Sequence, residues 1–525
     1  MSGPEWKNKL YYGDNLDILR KHIPDNSVDL IYLDPPFNSK ATYNILFKEP
    51  SGELSQAQIA AFEDTWQWGE ESRLAFAEIV ANAPAGVVEM MKAFRSFIHD
   101  NAMMAYLTMM CIRLFELRRV LKDTGAIYLH CDPTASHYLK IVMDTIFGAD
   151  NFMNEIVWRR STPTGGKVKS MMFPRDHDIL FFYKKSEIPT YRNIYLDYSA
   201  DYKKNFFTHD DGDGRKYALQ TVGDYSKESI EEFRKRGRIY VTKTGKLRLK
   251  QYLDESKGII ADDVWTEIRN VRQHDTQQMH EKQYLGYPTQ KPEALLERII
   301  EASTNKGDLV LDPFCGCGTA LVAAQRLNRR WIGIDITHLA ISTMKWRLET
   351  LFGIVAKKDY DVLGEPTDLE GAKELARQDR YQFQWWAVSL VGGQPYGDKK
   401  KGADTGIDGF VYFMDERDKP KKAIVQVKSG GVSVNHVRDL IGVVQREKAE
   451  MGLFITLEAP TKPMETEAIS QDFYQSPLGK AYPKIQILTI EELVKSKKPD
   501  IPPWISPFET PVSASKNRGR SIKMF

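Results

Sequence analysis

Cysteine is scarce in this sequence. The chain carries four cysteines in 525 residues (Cys111, Cys131, Cys315 and Cys317), too few for a disulfide framework, and no second pair completes a zinc site around Cys315 and Cys317. Reduced thiols are expected. Long apolar runs are missing too: no stretch reaches eighteen residues, which argues against a membrane-spanning helix. The opening residues Met1, Ser2, Gly3, Pro4, Glu5, Trp6 and Lys7 lack the apolar core of a signal peptide. A cytoplasmic protein with no membrane partner is the expectation. Nor is there a dominant charge. At a net +2 the average charge neither demands nor excludes nucleic acid, so only local patches decide. Internal repeats are absent. With 42% hydrophobic and 27% charged residues, a disordered or fibrous chain is excluded, and at roughly 150 residues per domain the length predicts about three to four folding units.

The pattern begins with a strand over 10–13, a helix over 15–22 and the apolar run 28–33. An almost wholly apolar run suits a strand buried on both faces of a parallel sheet. The α/β pattern continues through a helix at 102–121 and a strand at 126–130. It breaks from about 160 to 283, where the sequence is polar, aromatic and irregular, with glycine breaks at Gly165 and Gly166 and over 211–214, and a basic candidate hairpin over 238–250. Helix 292–303, strand 309–311, helix 319–327 and strand 331–334 then restore it. One sheet carrying an insertion is the consequence. Past 352 a polar connector leads to a separate mixed segment over about 375–495, and the last thirty residues, rich in Pro, Ser and Lys, are expected to be loosely ordered.

Two corners carry chemistry. In Asp312-Pro313-Phe314-Cys315-Gly316-Cys317-Gly318 small residues sit between a strand and a helix, where the chain turns sharply and a ligand can approach the backbone. A dinucleotide fingerprint would require a third glycine at 321, and Leu321 stands there. NAD is therefore disfavoured. Asp335, about twenty residues on, ends the next strand, where a carboxylate can accept from ribose hydroxyls. A nucleoside without a pyrophosphate fits better. The second corner, Asp34-Pro35-Pro36-Phe37, follows a strand directly. Its prolines fix two successive φ angles and remove two backbone donors. A carboxylate and a carbonyl held this way can accept both hydrogens of an amino group, while Phe37 offers a face for a planar base. The plain alternatives are a structural αβ turn and a loop with a helix-capping Asp and a core Phe.

Together with Asn38-Ser39, the upstream Tyr12-Gly13-Asp14, the later Tyr287-Pro288-Thr289-Gln290-Lys291-Pro292, and Thr319 after the glycine turn, these motifs resemble the amino-group DNA methyltransferases. The order is that of the permuted β class, in which the catalytic motif precedes the cofactor motif, and the resemblance covers roughly residues 7 to 352. It implies a Rossmann-like methyltransferase sheet with an inserted target-recognition region, and S-adenosylmethionine as methyl donor. Phe314, Gly316 and Gly318 would surround the methionine part, with Asp312 and Thr319 in the same motif. Asp335 would take the ribose, Asp14 the adenine amino group, and Thr289, Lys291 and Pro292 the carboxylate end. Asp34, Pro35, Pro36 and Phe37 would hold the target base, which must rotate out of a duplex to reach them. Family members with Asp first in this tetrapeptide mostly methylate adenine N6, which makes adenine the expectation and cytosine N4 the alternative.

Double-stranded DNA is the expected partner, with a second copy of the chain as a further one. For DNA the candidates are Arg159, Arg160, Lys167 and Lys169 in one basic stretch, and Arg236, Arg238, Lys243, Lys246 and Arg248 in a two-stranded ribbon able to enter a major groove. The plain alternative is a solvated surface. Asp210, Asp211 and Asp213 lack the calcium-loop spacing and read as a turn. Further on, Asp408, then Gln426 and Lys428 on a following strand, form an Asp…Gln-x-Lys pattern. Asp408 and Gln426 could share one Mg2+ ion while Lys428 positions a water. This segment resembles the Mrr-like branch of PD-(D/E)xK restriction endonucleases. Gln426 is a weaker, neutral ligand than Glu, and Gln384 stands where an acidic residue often begins the first helix, so an active nuclease and a DNA-binding remnant both stay open. The predicted organisation is 1–160 catalytic half, 161–283 target-recognition insertion, 284–355 cofactor half, 356–378 connector, 379–495 endonuclease-like α/β domain and 496–525 basic tail. The function expected is site-specific DNA methylation fused to a restriction endonuclease; a non-catalytic DNA-binding regulator and a small-molecule or RNA methyltransferase are the remaining alternatives.

Overall fold

In the computed structural model the described residues are 6–36, 42–48, 54–63, 68–161, 173, 175–186, 188–223, 225–271, 285, 287, 290–396, 406–415 and 421–502. They form two compact units, residues 191–265 and the remainder. Phe37, Lys167, Lys169 and Thr289 lie outside the described residues.

In the larger unit, eight strands form the main sheet: β1 Lys9–Tyr12, β2 Val28–Leu33, β3 Leu121–Cys131, β4 Phe152–Arg159, β5 His177–Lys184, β6 Leu309–Asp312, β7 Arg330–Asp335 and β8 Asp361–Leu363. They lie in the order β4-β5-β3-β2-β6-β7-β1-β8. Strands β3, β2, β6, β7, β1 and β8 are parallel, and β5 runs antiparallel between β3 and β4. Leu30, Ile31, Leu33, Leu309 and Leu311 are buried, as an apolar central strand covered by helices on both faces requires. The site follows from connectivity. From β2 the chain goes to β3 on one side, and from β6 to β7 on the other, so the loops leaving these neighbours diverge and open a crevice at the carboxyl edge. Their register pairs Ile31 with Leu311; three residues beyond each come Asp34 and Phe314.

The unit 191–265 holds a four-stranded antiparallel sheet of Ile239–Val241, Leu247–Tyr252, Lys216–Thr221 and His209–Asp210. Tyr198, Phe207 and Ala218 form a small core, and Arg215 and Arg238 stack over the Tyr252 ring. The expected basic hairpin is present, with its tip at 242–246.

The C-terminal part of the larger unit has a second sheet of β9 Gln394–Pro395, β10 Gly409–Phe413, β11 Lys421–Lys428, β12 Met451–Thr456 and β13 Ile485–Thr489, in that order. A helix of this part, Arg380–Leu390, reaches the main sheet through His338. The His338 ring stacks on Tyr12 at 3.7 Å, its backbone N–H donates to Gln382 Oε1 at 3.3 Å, and Trp386 lies 6.5 Å away. Beneath them Glu365 bonds the Lys345 ammonium, with His338 Nδ1 3.7 Å from its other oxygen.

Burial pushes the Glu365 carboxyl up, but the His338 ring and Lys345 more than reverse this and hold it at about 2 against an ordinary 4.5. Between those values the unfolded chain binds the proton first. The contribution, about 3 kcal/mol, is therefore complete above pH 4.5 and lost as pH falls toward 2. His338, pushed down by burial, lowers stability as pH drops below its ordinary value, in the same direction. Denaturant titrations are expected to show Glu365→Gln less stable than wild type at neutral pH, with a smaller loss between pH 4.5 and 2 than wild type shows; parallel pH curves for the two proteins would contradict this assignment.

Candidate active site

The crevice between the loops after β2 and β6 is a cavity of about 990 Å³ whose walls include Asp34, Pro35, Pro36, Lys291, Asp312, Phe314, Gly316 and Asp335. Both corners singled out in the sequence thus face one space.

Asp34 is the centre of one wall. Its Oδ2 accepts from Lys291 Nζ, and both side chains are largely buried. Its Oδ1 is buried with no hydrogen-bond partner among the described residues. An orphaned carboxylate oxygen is costly to bury unless a ligand donates to it. Two residues earlier on β2, Tyr32 also lines the cavity. Its hydroxyl bonds His130 Nδ1 at 2.9 Å, and His130 Nε2 lies 3.1 Å from Asp178 Oδ2. Asp178 is held low: burial raises it, but His130, Arg160 and Lys291 together win. Burial pushes the Tyr32 phenol well up, and Asp34 and Asp312 add to this.

The opposite wall is the glycine turn. Gly316 and Gly318 have φ of +48° and +77°, in the left-handed region that glycine adopts without strain. A Cβ on Gly318 would lie 2.6 Å from Met344. Asp335 ties the turn to β7: its Oδ2 accepts from Gly316 N and its Oδ1 from the backbone and hydroxyl of Thr337, each at 2.9 Å. Burial raises Asp335 despite these bonds, and raises Asp312 well above the usual carboxylate range. The Tyr287 ring packs against Gly316, and Thr319 opens the helix Thr319–Arg326 behind the turn.

Three of the expected cofactor residues have partners or places in the fold that the sequence does not show. Lys291, expected at the carboxylate end of the cofactor, bonds Asp34, and Pro292 stands at the start of the helix Glu293–Ser303. Asp14 is already a helix cap for Leu16, and both its oxygens accept from Arg113 Nη2, at 2.7 and 3.0 Å; a further donor would share them. Arg113 also bonds Asn15, whose amide donates to the Pro313 carbonyl at 2.8 Å. Arg113 was overlooked in the sequence, although it is the first charge in the helix Ala102–Val120, ahead of Glu116, Arg118 and Arg119. Tyr32, His130 and Asp178 were overlooked as well, since nothing in sequence spacing joins positions on three separate strands.

Among the DNA candidates, Arg159 is exposed, but Arg160 faces the buried Asp178 at 3.3 Å. Arg236 and Arg238 are paired with Glu232 and Glu255. Such pairing removes much of a cation's availability for phosphate. Lys243, Lys246 and Arg248 have no carboxylate partner among the described residues; Arg248 lies across from Tyr240 and Thr221 on one face of the sheet. The 210–214 loop is a turn, in which the Asp210 carboxylate accepts from Gly212 and Gly214.

The C-terminal pattern is assembled, but not as a metal site. Asp408 Oδ1 accepts from the Gln384 amide and its Oδ2 from the Val427 N–H at 2.6 Å. Gln426 is buried with its carbonyl oxygen unpartnered among the described residues, and Lys428 follows it on the same face of β11. One carboxylate, engaged at both oxygens, and two neutral amides supply too little negative charge for Mg2+. Among the described residues no group of three His, Cys, Asp or Glu side chains is arranged for a metal ion, so the Mg2+ expected at Asp408 and Gln426 does not fit. No described helix is long and apolar enough to cross a membrane.

Comparison with known proteins separates the two parts. Residues 382–495 match a family model described as NACHT-associated inactive restriction endonuclease 1. The type II methyltransferase M.EcaI of Enterobacter cloacae is 32% identical over 268 residues, 46% of this chain and 57% of the relative. The Mod subunit of the type III restriction-modification enzyme StyLTI of Salmonella typhimurium is 25% identical over 353 residues, 61% of this chain and 50% of the relative. The chain therefore spans little more than half the length of these curated relatives. Among solved structures, the cytosine-N4-specific PvuII DNA methyltransferase aligns over 65% of this chain and 86% of its own at 13% identity and a TM-score of 0.34. Residues 28–345, more than half of the chain, match the DNA methylase family model of N6/N4 methyltransferases, and the chain belongs to that family.

Proposed function

We propose that the protein transfers a methyl group from S-adenosylmethionine to the exocyclic amine of a base in duplex DNA, adenine N6 above cytosine N4, as the modifying component of a restriction-modification system. One observation carries this reading: Asp34, whose Oδ1 is buried with no hydrogen-bond partner among the described residues, lines the same cavity as the glycine turn. The residues present suit the donor, with a glycine turn open to close approach and Asp335 at the end of the neighbouring strand. When bound, S-adenosylmethionine supplies a methyl group activated by its sulfonium charge.

The chain's own residues do the rest. The lone pair of a base amine is delocalised into its ring, which makes the amine a poor nucleophile. Asp34 Oδ1 and the Pro35 carbonyl accept its two hydrogens, draw the nitrogen toward sp³ geometry and free the lone pair along the line of transfer. The nitrogen then sheds one proton, and Asp34 Oδ1 is the acceptor within reach. The amine lies inside the duplex before reaction, so the base rotates out; stacking on Phe37 is read from its place in the tetrapeptide. The Asp in first position favours adenine. Lys243, Lys246 and Arg248 are the phosphate contacts we assign in the inserted unit.

The test is incubation with labelled donor and unmethylated duplex DNA, digestion to nucleosides and identification of the product. N6-methyladenine is expected; an unlabelled digest would end the assignment. Asp34→Ala should lower transfer at least about 100-fold while donor binding by calorimetry survives. Loss of donor binding as the primary defect would contradict the role given to Asp34.

The C-terminal segment we read as a DNA-binding domain that does not cut, because the Asp408 carboxylate is satisfied within the fold. Wild-type protein with Mg2+ should leave unmodified supercoiled plasmid intact. Nicking that disappears in Asp408→Ala would restore the nuclease reading.

A further inference from the structure

We propose that Lys291 is a positioning residue for methyl transfer, acting through Asp34, and not a contact for the donor. This rests on the methyl-transfer reading above and assigns the step within it that Lys291 serves.

A carboxylate turns about a torsion that is broad and roughly two-fold, so its two oxygens interchange unless something holds one of them. Lys291 Nζ holds Oδ2. That leaves Oδ1 as the oxygen without a partner among the described residues, on a side chain that lines the cavity. The clamp needs this asymmetry: the hydrogen on the base amine must meet an acceptor fixed in direction, because a displacement of about 1 Å at a reacting group costs on the order of 100-fold in rate. Lys291 also compensates charge. Asp34 sits in a largely buried site with Asp312 nearby, where a carboxylate without a cation would be costly to keep ionised.

The support behind Lys291 is rigid. Pro292 follows it with φ of −68° and caps the helix Glu293–Ser303, whose Leu295, Leu296, Ile299 and Ile300 are buried. The Leu295 N–H donates to the Pro292 carbonyl at 3.2 Å. On the other side the Gln290 side chain accepts from the Leu285 N–H at 2.9 Å. Lys291 therefore reaches Asp34 from a packed helix end, across 257 positions of sequence.

The experiment measures single-turnover and steady-state methyl transfer to unmethylated plasmid DNA, with donor affinity by calorimetry, for wild type, Lys291→Met, Lys291→Arg, Asp34→Asn and the Asp34→Asn/Lys291→Met double variant. Lys291→Met should lose about 100-fold in kcat while the donor Kd moves by less than about threefold. Lys291→Arg, which keeps the charge, should recover a substantial part. In the Asp34→Asn background, Lys291→Met should add no further loss, since its effect runs through the carboxylate. A weakened donor Kd with kcat unchanged at saturating donor would return Lys291 to the cofactor end and overturn the inference, as would additive losses in the double variant. If Lys291→Met does not fold, failure of the folded Lys291→Arg variant to differ from wild type in kcat, combined with weaker donor binding, overturns it equally. A wild-type protein that binds the donor yet never labels DNA removes the functional reading itself.

Discussion

The site depends on an unequal carboxylate. Asp34 is held at one oxygen by Lys291 and has no partner at the other among the described residues, and both halves of that arrangement are needed. A carboxylate with neither oxygen held would turn, and one with both satisfied would have nothing to offer a ligand. The contrast lies in the same chain: Asp408 accepts from Gln384 at one oxygen and from Val427 N–H at the other. Two aspartates at the starts or ends of strands, both singled out in the sequence, have opposite availability. The difference is made by what packs against each.

The sheet brings the unequal carboxylate to the glycine turn by connectivity alone. β2 and β6 are adjacent and parallel although about 280 residues separate Leu30 from Val310, and the chain leaves them toward opposite edges. Loops that diverge in this way leave a crevice that no side chain of the sheet fills. Asp312, raised by burial, and a tightly bonded Asp335 line one side, and the Tyr32–His130–Asp178 chain stands behind the other. Those groups set the charge of the cavity before any ligand enters, which is preorganisation in the electrostatic sense.

The C-terminal domain shows the same chemistry with its charge removed. Divalent hard cations select several anionic oxygens, and amides at 384 and 426 provide dipoles where carboxylates would provide charge. What remains is a hydrogen-bonded network that binds β10 to β11 and to the helix Arg380–Leu390. That helix also meets the methyltransferase sheet at His338 and Tyr12, so the domain contributes to the ground on which β1 and the Asp335 turn rest.

Local pattern was enough to read the parallel sheet, the insertion and the two corners, because apolar runs, proline pairs and glycine turns act over a few residues and their physics is written in neighbouring positions, whereas the endonuclease-like segment was read from a resemblance. Asp34 and Gly316 were found that way, and so was the doubt over Gln426. Which oxygen of Asp34 is free, that Lys291 belongs to it, that Arg113 occupies Asp14, and that Arg160, Arg236 and Arg238 are spent on carboxylates were decided only when the chain closed. Each is a pairing between a charge and a partner set by three-dimensional proximity, across 257 positions for Lys291 and 99 for Arg113, and the energy of such a pair depends on distance and burial, neither of which a linear order of residues contains.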